Sequence, residues 1–203
     1  MFTKKIAALS LATFMISATA VTAYAGTLTD QSPSGNTEVI AHIDGVVPGN
    51  VSYKISIPDV VDFGTLVQPE TQENSNKAVG YQVSLDEVTG LEADKQISVY
   101  VKDQNSTLDG NQNFYIANKA NNNIQFMYNV FAVPQDNVQT NQPLNSIPYT
   151  KTAGYYLTVF ENAGETLDGT LVINQAQLYG QSIADIAGDY SGYMVFYSTV
   201  ENK

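Results

Sequence analysis

Tyrosine is the residue with the most binding chemistry to offer in this sequence. There are 13, against 8 phenylalanines and no tryptophan. Tyr155, Tyr156, Tyr193 and Tyr197 gather toward the C-terminal end. At strand spacing, Tyr193 and Tyr197 share one face with Val195. A tyrosine ring offers an apolar plate and a hydroxyl together, so a group of them can hold a sugar or anchor a partner protein. Tyrosine also suits half-buried sheet surfaces for packing reasons alone. These four residues are the candidate ligand-binding set.

Chemistry of other kinds finds little footing. His42 is the only histidine and stands in an alternating stretch beside Ile40 and Ile43. Nucleophilic catalysis needs an imidazole oriented by a second group, and no Gly-x-Ser-x-Gly turn accompanies it. One histidine without cysteine does not make a structural zinc site. Paired carboxylates could cleave glycosidic bonds. By type the candidates are Asp59 with Asp62, Asp86 with Glu87, and Glu161 with Glu165. Adjacent Asp86 and Glu87 on a strand face opposite sides, and every pair lies near an expected turn, where acids simply solvate. No catalytic residue is therefore assigned, and the chain is expected not to be an enzyme.

The loop "DQNSTLDGNQN" invites comparison with a calcium loop, which needs oxygen ligands at alternate positions, glycine sixth and glutamate twelfth. Counted from Asn105, the ligands are Asn105, Thr107 and Asp109, with Gly110 sixth; the twelfth residue, Ile116, cannot ligate. These three residues are the candidate for a weak calcium site at extracellular concentrations. No other cofactor is expected.

These residues need elements to position them, and the elements read as strands. "VSYKISIP" alternates Val51, Tyr53, Ile55 and Ile57 against Ser52, Lys54 and Ser56, and stops at Pro58. "VVDFGTL" reads as a short strand bent at Gly64. "GYQVSL" puts Tyr81, Val83 and Leu85 on one face. "QISVYVK" turns Ile97, Val99 and Val101 inward and Ser98, Tyr100 and Lys102 outward. "NFYIA", "NIQFMYNVFAV", "GYYLTVF", "GTLVIN" and "YSGYMVFYSTV" follow, the second apolar on both faces as a central strand would be. The joints are rich in Gly, Asn, Asp and Pro. "TLDG" at Thr107–Gly110 and again at Thr166–Gly169 reads as two similar turns. "NQAQLYGQSIADIAG" is a helix candidate broken at Gly180, or equally a strand and a loop. About nine to ten short strands separated by turns predict an antiparallel β-sandwich. Alternation gives each sheet one apolar face, and the two faces meet to shed water.

The first residues point to export. Lys4 and Lys5 precede the apolar run Ile6–Val21, and Ala23–Ala25 form a small-x-small cleavage site. The run is short for a membrane span. A signal peptide over 1–25, a polar leader over 26–36 and one sandwich domain over 37–203 are the expected organisation. Removal of residues 1–25 takes away two lysines and no acid, so the formal charge moves from −11 to −13. That surface repels nucleic acid and anionic headgroups. All nine basic residues are lysine, so the bidentate guanidinium fork is missing. There is no cysteine and hence no disulfide. The sequence shows no Leu-Pro-x-Thr-Gly sorting signal and no lipid-accepting cysteine, and the expected mature chain has no transmembrane segment.

Three stretches resemble secreted surface proteins of Gram-positive bacteria, of the adhesin-like, WxL-like and pilin-like kinds. "YKISIPDVVDFGTL" resembles their early strand, and "KAVGYQVSLDEVTGLEADKQISVYV" the next strand pair. "IADIAGDYSGYMVFYS" resembles their ending, where a Gly-Asp-Tyr-Ser-Gly turn leads into the last core strand. The paired Trp-x-Leu signature is missing. The resemblance implies an all-β, immunoglobulin-like sandwich displayed outside the cell and without catalysis: an adhesin-like or fibre subunit. Expected partners are other surface proteins or further copies of the chain, joined through sheet edges. The alternative is a carbohydrate- or host-ligand-binding module that uses exposed tyrosines.

Overall fold

The computed structural model describes residues 51–106, 112–146 and 154–203. The expected signal peptide, the leader, His42, Thr107 and Asp109 lie outside the described residues. Nine strands form two antiparallel sheets among them. They are β1 (Ser52–Ser56), β2 (Asn76–Thr89), β3 (Lys95–Asp103), β4 (Phe114–Asn118), β5 (Gln125–Phe131), β6 (Tyr155–Phe160), β7 (Thr166–Asn174), β8 (Tyr190–Ser191) and β9 (Met194–Asn202). The larger sheet runs β1-β2-β7-β5-β4-β8, and the smaller runs β6-β3-β9. The fold is an all-β sandwich, as the alternation predicts.

One core lies between the sheets. Val83 and Leu85 of β2, Phe114 of β4, Val130 of β5 and Ile173 of β7 face Ile97, Val99 and Val101 of β3 and Tyr155 and Phe160 of β6. The three aliphatic side chains expected to turn inward on β3 are all buried. At about 25 cal/mol per Å² of apolar surface withdrawn from water, this shared face is the main force holding two sheets together without a disulfide. Phe114 and Tyr155, from opposite sheets, bring their ring centres to 5.8 Å.

Three sequence expectations need correction. "VVDFGTL" is not a strand. Asp62 Oδ1 accepts the Gly64 amide at 2.7 Å and bends the chain, and Gly64 takes a φ of 62°. The segment instead covers the sandwich, with Phe63 inserted edge-on against Tyr128 at 5.8 Å. Thr166–Gly169 is not a turn but the start of β7, paired with Tyr81–Ser84 of β2. Gly169 is there because the Tyr81 ring occupies the place of its missing side chain. Finally, the ambiguous stretch after Asn174 is neither a long helix nor a strand. It makes one 3-10 turn (Gln175–Leu178), reverses at Gly180 with φ 71°, and makes one helical turn, α1 (Ile183–Ile186).

That short connection completes the sheet. Met127 pairs with Tyr115 of β4 on one side, but the β5–β7 ladder begins only at Tyr128, so the Met127 amide and carbonyl have no strand partner on the β7 side. Gln177 supplies the partner: its Oε1 accepts from Met127 N at 2.9 Å, and its Nε2 donates to Met127 O at 2.8 Å. Backbone polar groups away from water must be paired, and here a side-chain amide stands in for a strand.

Candidate functional site

The smaller sheet carries the candidate site on its outer face. β3 is central, with β6 and β9 at its flanks. The register places Tyr100 directly opposite Tyr156 on one side and opposite Tyr197 on the other. Residues directly opposite on neighbouring strands lie close enough for their side chains to touch. Tyr100 meets Tyr156 edge-on with ring centres 5.8 Å apart, and Tyr197 at 6.4 Å. The result is a row of three tyrosines crossing three strands. Tyr156 and Tyr197 are 42% and 52% exposed.

The middle ring is held in place. Tyr100 donates its hydroxyl to the Glu201 carboxylate, at 2.9 Å to Oε1 and 3.1 Å to Oε2. Burial and this bond to a negative charge both push the Tyr100 hydroxyl above its usual range. Burial also raises Tyr156, with Glu201 adding to it. Both of these hydroxyls thus remain protonated donors at neutral pH. Ser98, Thr199 and Lys102 share the face by alternation. Ser98 points outward as expected yet is fully buried, because Val159 and Thr199 stand directly opposite it on the two flanking strands.

Of the four tyrosines singled out in the sequence, three are on this side and one is not. Tyr156 and Tyr197 form the ends of the row. Tyr193 lies just before β9 and is 61% exposed, its carbonyl accepting from Gln104 N at 3.1 Å. Tyr155 as an exposed ligand-binding residue is corrected: it is completely buried, between Phe114 and the inner face of β6, and its hydroxyl donates to Gln112 O at 2.5 Å. Successive residues of a strand face opposite sides, so Tyr155 and Tyr156 could not both be exposed. Tyr100, the centre of the row, was read only as outward-facing. The signal was there: its alternation matched that of Tyr156 and Tyr197, but the register that aligns all three is not in the local pattern.

Each acid pair has at least one member engaged in structure. Asp86 accepts from Ser56 at 2.6 Å and Ser84 at 2.8 Å, at a bulge where β2 meets β1; those bonds hold its carboxyl below the ordinary range. Glu165 accepts from Asn162 Nδ2 at 2.8 Å and from Glu161 N at 2.6 Å across the β6–β7 turn, which lowers it likewise. Glu161 pairs with Lys203 at 2.8 Å. Asp62 caps its own bend. Of the calcium candidates only Asn105 is described, its amide donating to Asp103 Oδ1 at 2.8 Å. Among the described residues no group of three or more metal-ligating side chains gathers, and no helix is long and apolar enough to cross a membrane.

A second surface is the outer edge of β9. Lys203 N donates to Asp94 O and Gln104 N to Tyr193 O, at either end of the β3–β9 ladder. Antiparallel pairs alternate in bonding. With the observed register, Val195, Tyr197, Thr199 and Glu201 therefore bond toward β3, and the amides and carbonyls of Met194, Phe196, Ser198 and Val200 face away from it. Among the described residues no strand takes up that side. The inward side chains of Met194, Phe196 and Val200 are only partly buried against the core. Other edges are better guarded: β8 has two residues, β1 has five with Lys54 and a following Pro58, and β6 is flanked by the 3-10 turn Leu144–Ser146.

No protein-family model matches the chain, and no curated protein matches it. Among solved structures it is similar to a chain from the chaperone-tip adhesin complex described as vital for synergistic activation of CFA/I fimbriae biogenesis. The identity is 13%, the TM-score 0.45, and the match covers 74% of this chain. This chain spans 42% of the length of that one. A likeness of this extent carries nothing about activity or partners.

Proposed function

We propose that the protein is a non-enzymatic, exported surface or matrix protein, adhesin-like or pilin-like, that joins other copies of itself through the edge of β9. The outward-facing ladder of Met194 to Val200 supports this reading. An added strand would satisfy its backbone groups and cover the half-buried side chains beneath. The alternating segment "EVIAHID", Glu38–Asp44, is the candidate donor. Export rests on the signal-peptide pattern, and the absence of catalysis on the lone histidine and the structural engagement of Asp62, Asp86, Glu161 and Glu165. Light scattering on the purified protein tests the assembly. Concentration-dependent oligomers that vanish on deletion of residues 26–44 are expected. A strict monomer at high concentration, unchanged by that deletion, overturns it. The tyrosine row favours a second reading, a ligand-binding module.

A further inference from the structure

The geometry points to an uncharged glycan chain as the ligand of the tyrosine row, laid across β6, β3 and β9 on Tyr156, Tyr100 and Tyr197. This inference names the ligand class for the second reading above and rests on it.

A sugar presents C–H patches and hydroxyls on one surface. The row answers both: ring faces for the C–H patches, and phenolic hydroxyls with Thr199 and Lys102 beside them for the hydroxyls. The rings are arranged before any ligand arrives. Tyr100 is tied to Glu201 through both carboxylate oxygens, and Tyr156 rests edge-on against Tyr100. Little rotamer freedom remains to be lost on binding.

Charge selects the class. The Glu201 carboxylate lies at the middle of the row, and the chain carries 20 acids against 9 basic residues, none of them arginine. Acidic polysaccharides are repelled from such a face, and the guanidinium that would clamp a carboxylate or sulfate is missing. A protein partner fits less well. The core of a protein interface is apolar and poor in charge, over about 800 Å² on each side. Beyond its rings this face offers Val195 and Val159, interrupted by Glu201, Lys102 and Thr199.

Calorimetric titration of the purified protein with neutral hexasaccharides of glucose, mannose, galactose and N-acetylglucosamine tests the inference, with oligogalacturonate as the acidic counterpart. At least one neutral probe binds, and raising the salt leaves its affinity unchanged. Tyr156→Ala and Tyr197→Ala each weaken it tenfold or more, while Tyr156→Phe and Tyr197→Phe, which keep the rings, retain most of it. Tyr179→Phe, an exposed tyrosine away from the row, has no effect. Circular dichroism confirms that each variant is folded. Binding of oligogalacturonate alone, lost in the alanine variants, overturns the ligand class and leaves the row as a site. Binding that ignores both alanine variants, or none to any probe at millimolar concentration, overturns the inference and the module reading with it. The oligomer measurement is independent of all these outcomes.

Discussion

Tyr81 and Gly169 show how one contact sets the chemistry of two positions. They stand directly opposite on β2 and β7. The Tyr81 ring lies over Gly169 and its hydroxyl donates to Phe131 O at 3.1 Å inside the protein. A methyl group on residue 169 would fall within that ring. Gly169→Ala is expected to destabilise the fold by about 1–3 kcal/mol, the usual range for overfilling a packed site. Tyr81→Phe keeps the ring and removes one buried hydrogen bond to the Phe131 carbonyl, for about 1 kcal/mol. Urea unfolding measures both, and a Gly169→Ala protein as stable as the parent would contradict the packing. The same scale separates Tyr155 from Tyr156. Both sit on β6, yet one is a core residue and the other a surface one, because a strand offers alternate residues to opposite sides.

Between elements, Asp103 does what the loop pattern hid. It ends β3 in the smaller sheet, and its Oδ2 accepts from Tyr115 N at 3.0 Å, near the start of β4 in the larger. Its Oδ1 accepts from Asn105 N at 2.8 Å. One buried carboxylate thus turns the chain and clasps one sheet to the other. In Asp103→Ala two amides lose their acceptor, at about 1–3 kcal/mol each when water cannot replace it. Asp103→Asn keeps one acceptor and is expected to lose roughly half as much. Hydrogen exchange at Asn105 and Tyr115 locates the change; if neither amide exchanges faster in Asp103→Ala, the clasp is not needed. Strand existence was legible because Ile97, Val99 and Val101 alternate so cleanly. β2 was read as six residues where the strand has fourteen, because Asp86, Glu87 and Lys77 toward its ends look like loop residues until β1 and β7 flank them.

At the scale of the molecule, two buried tyrosines govern the response to alkali. Burial pushes the Tyr81 hydroxyl well above the tyrosine value of 10.0. Tyr128 is raised by burial too, and then by the negative charge of Asp103. Unfolded, both hydroxyls release protons near pH 10; folded, they hold them. Their contribution is complete below that pH and is lost as pH rises toward the folded values, since the unfolded chain then binds fewer protons. Urea midpoints followed by circular dichroism are expected to stay level up to about pH 10 and then to fall. Tyr81→Phe, with one fewer group to ionise, is expected to fall less steeply above that point. A midpoint that holds level through pH 12 in the parent protein would contradict the burial of both groups.

The sequence by itself determined the class of fold and the polarity of most strand faces, since both follow from which neighbours alternate along the chain. It also established that no cysteine can form a disulfide and that no arginine is present, since these depend only on composition. Which tyrosines meet was decided by the tertiary structure alone. Tyr156, Tyr100 and Tyr197 are far apart in the chain and come together only because β6 and β9 pair with β3 in one register. A slip of a single residue in either flanking strand would turn that strand's tyrosine into the core. Register is set by the fit of both apolar faces across the whole sandwich, and no local pattern encodes it.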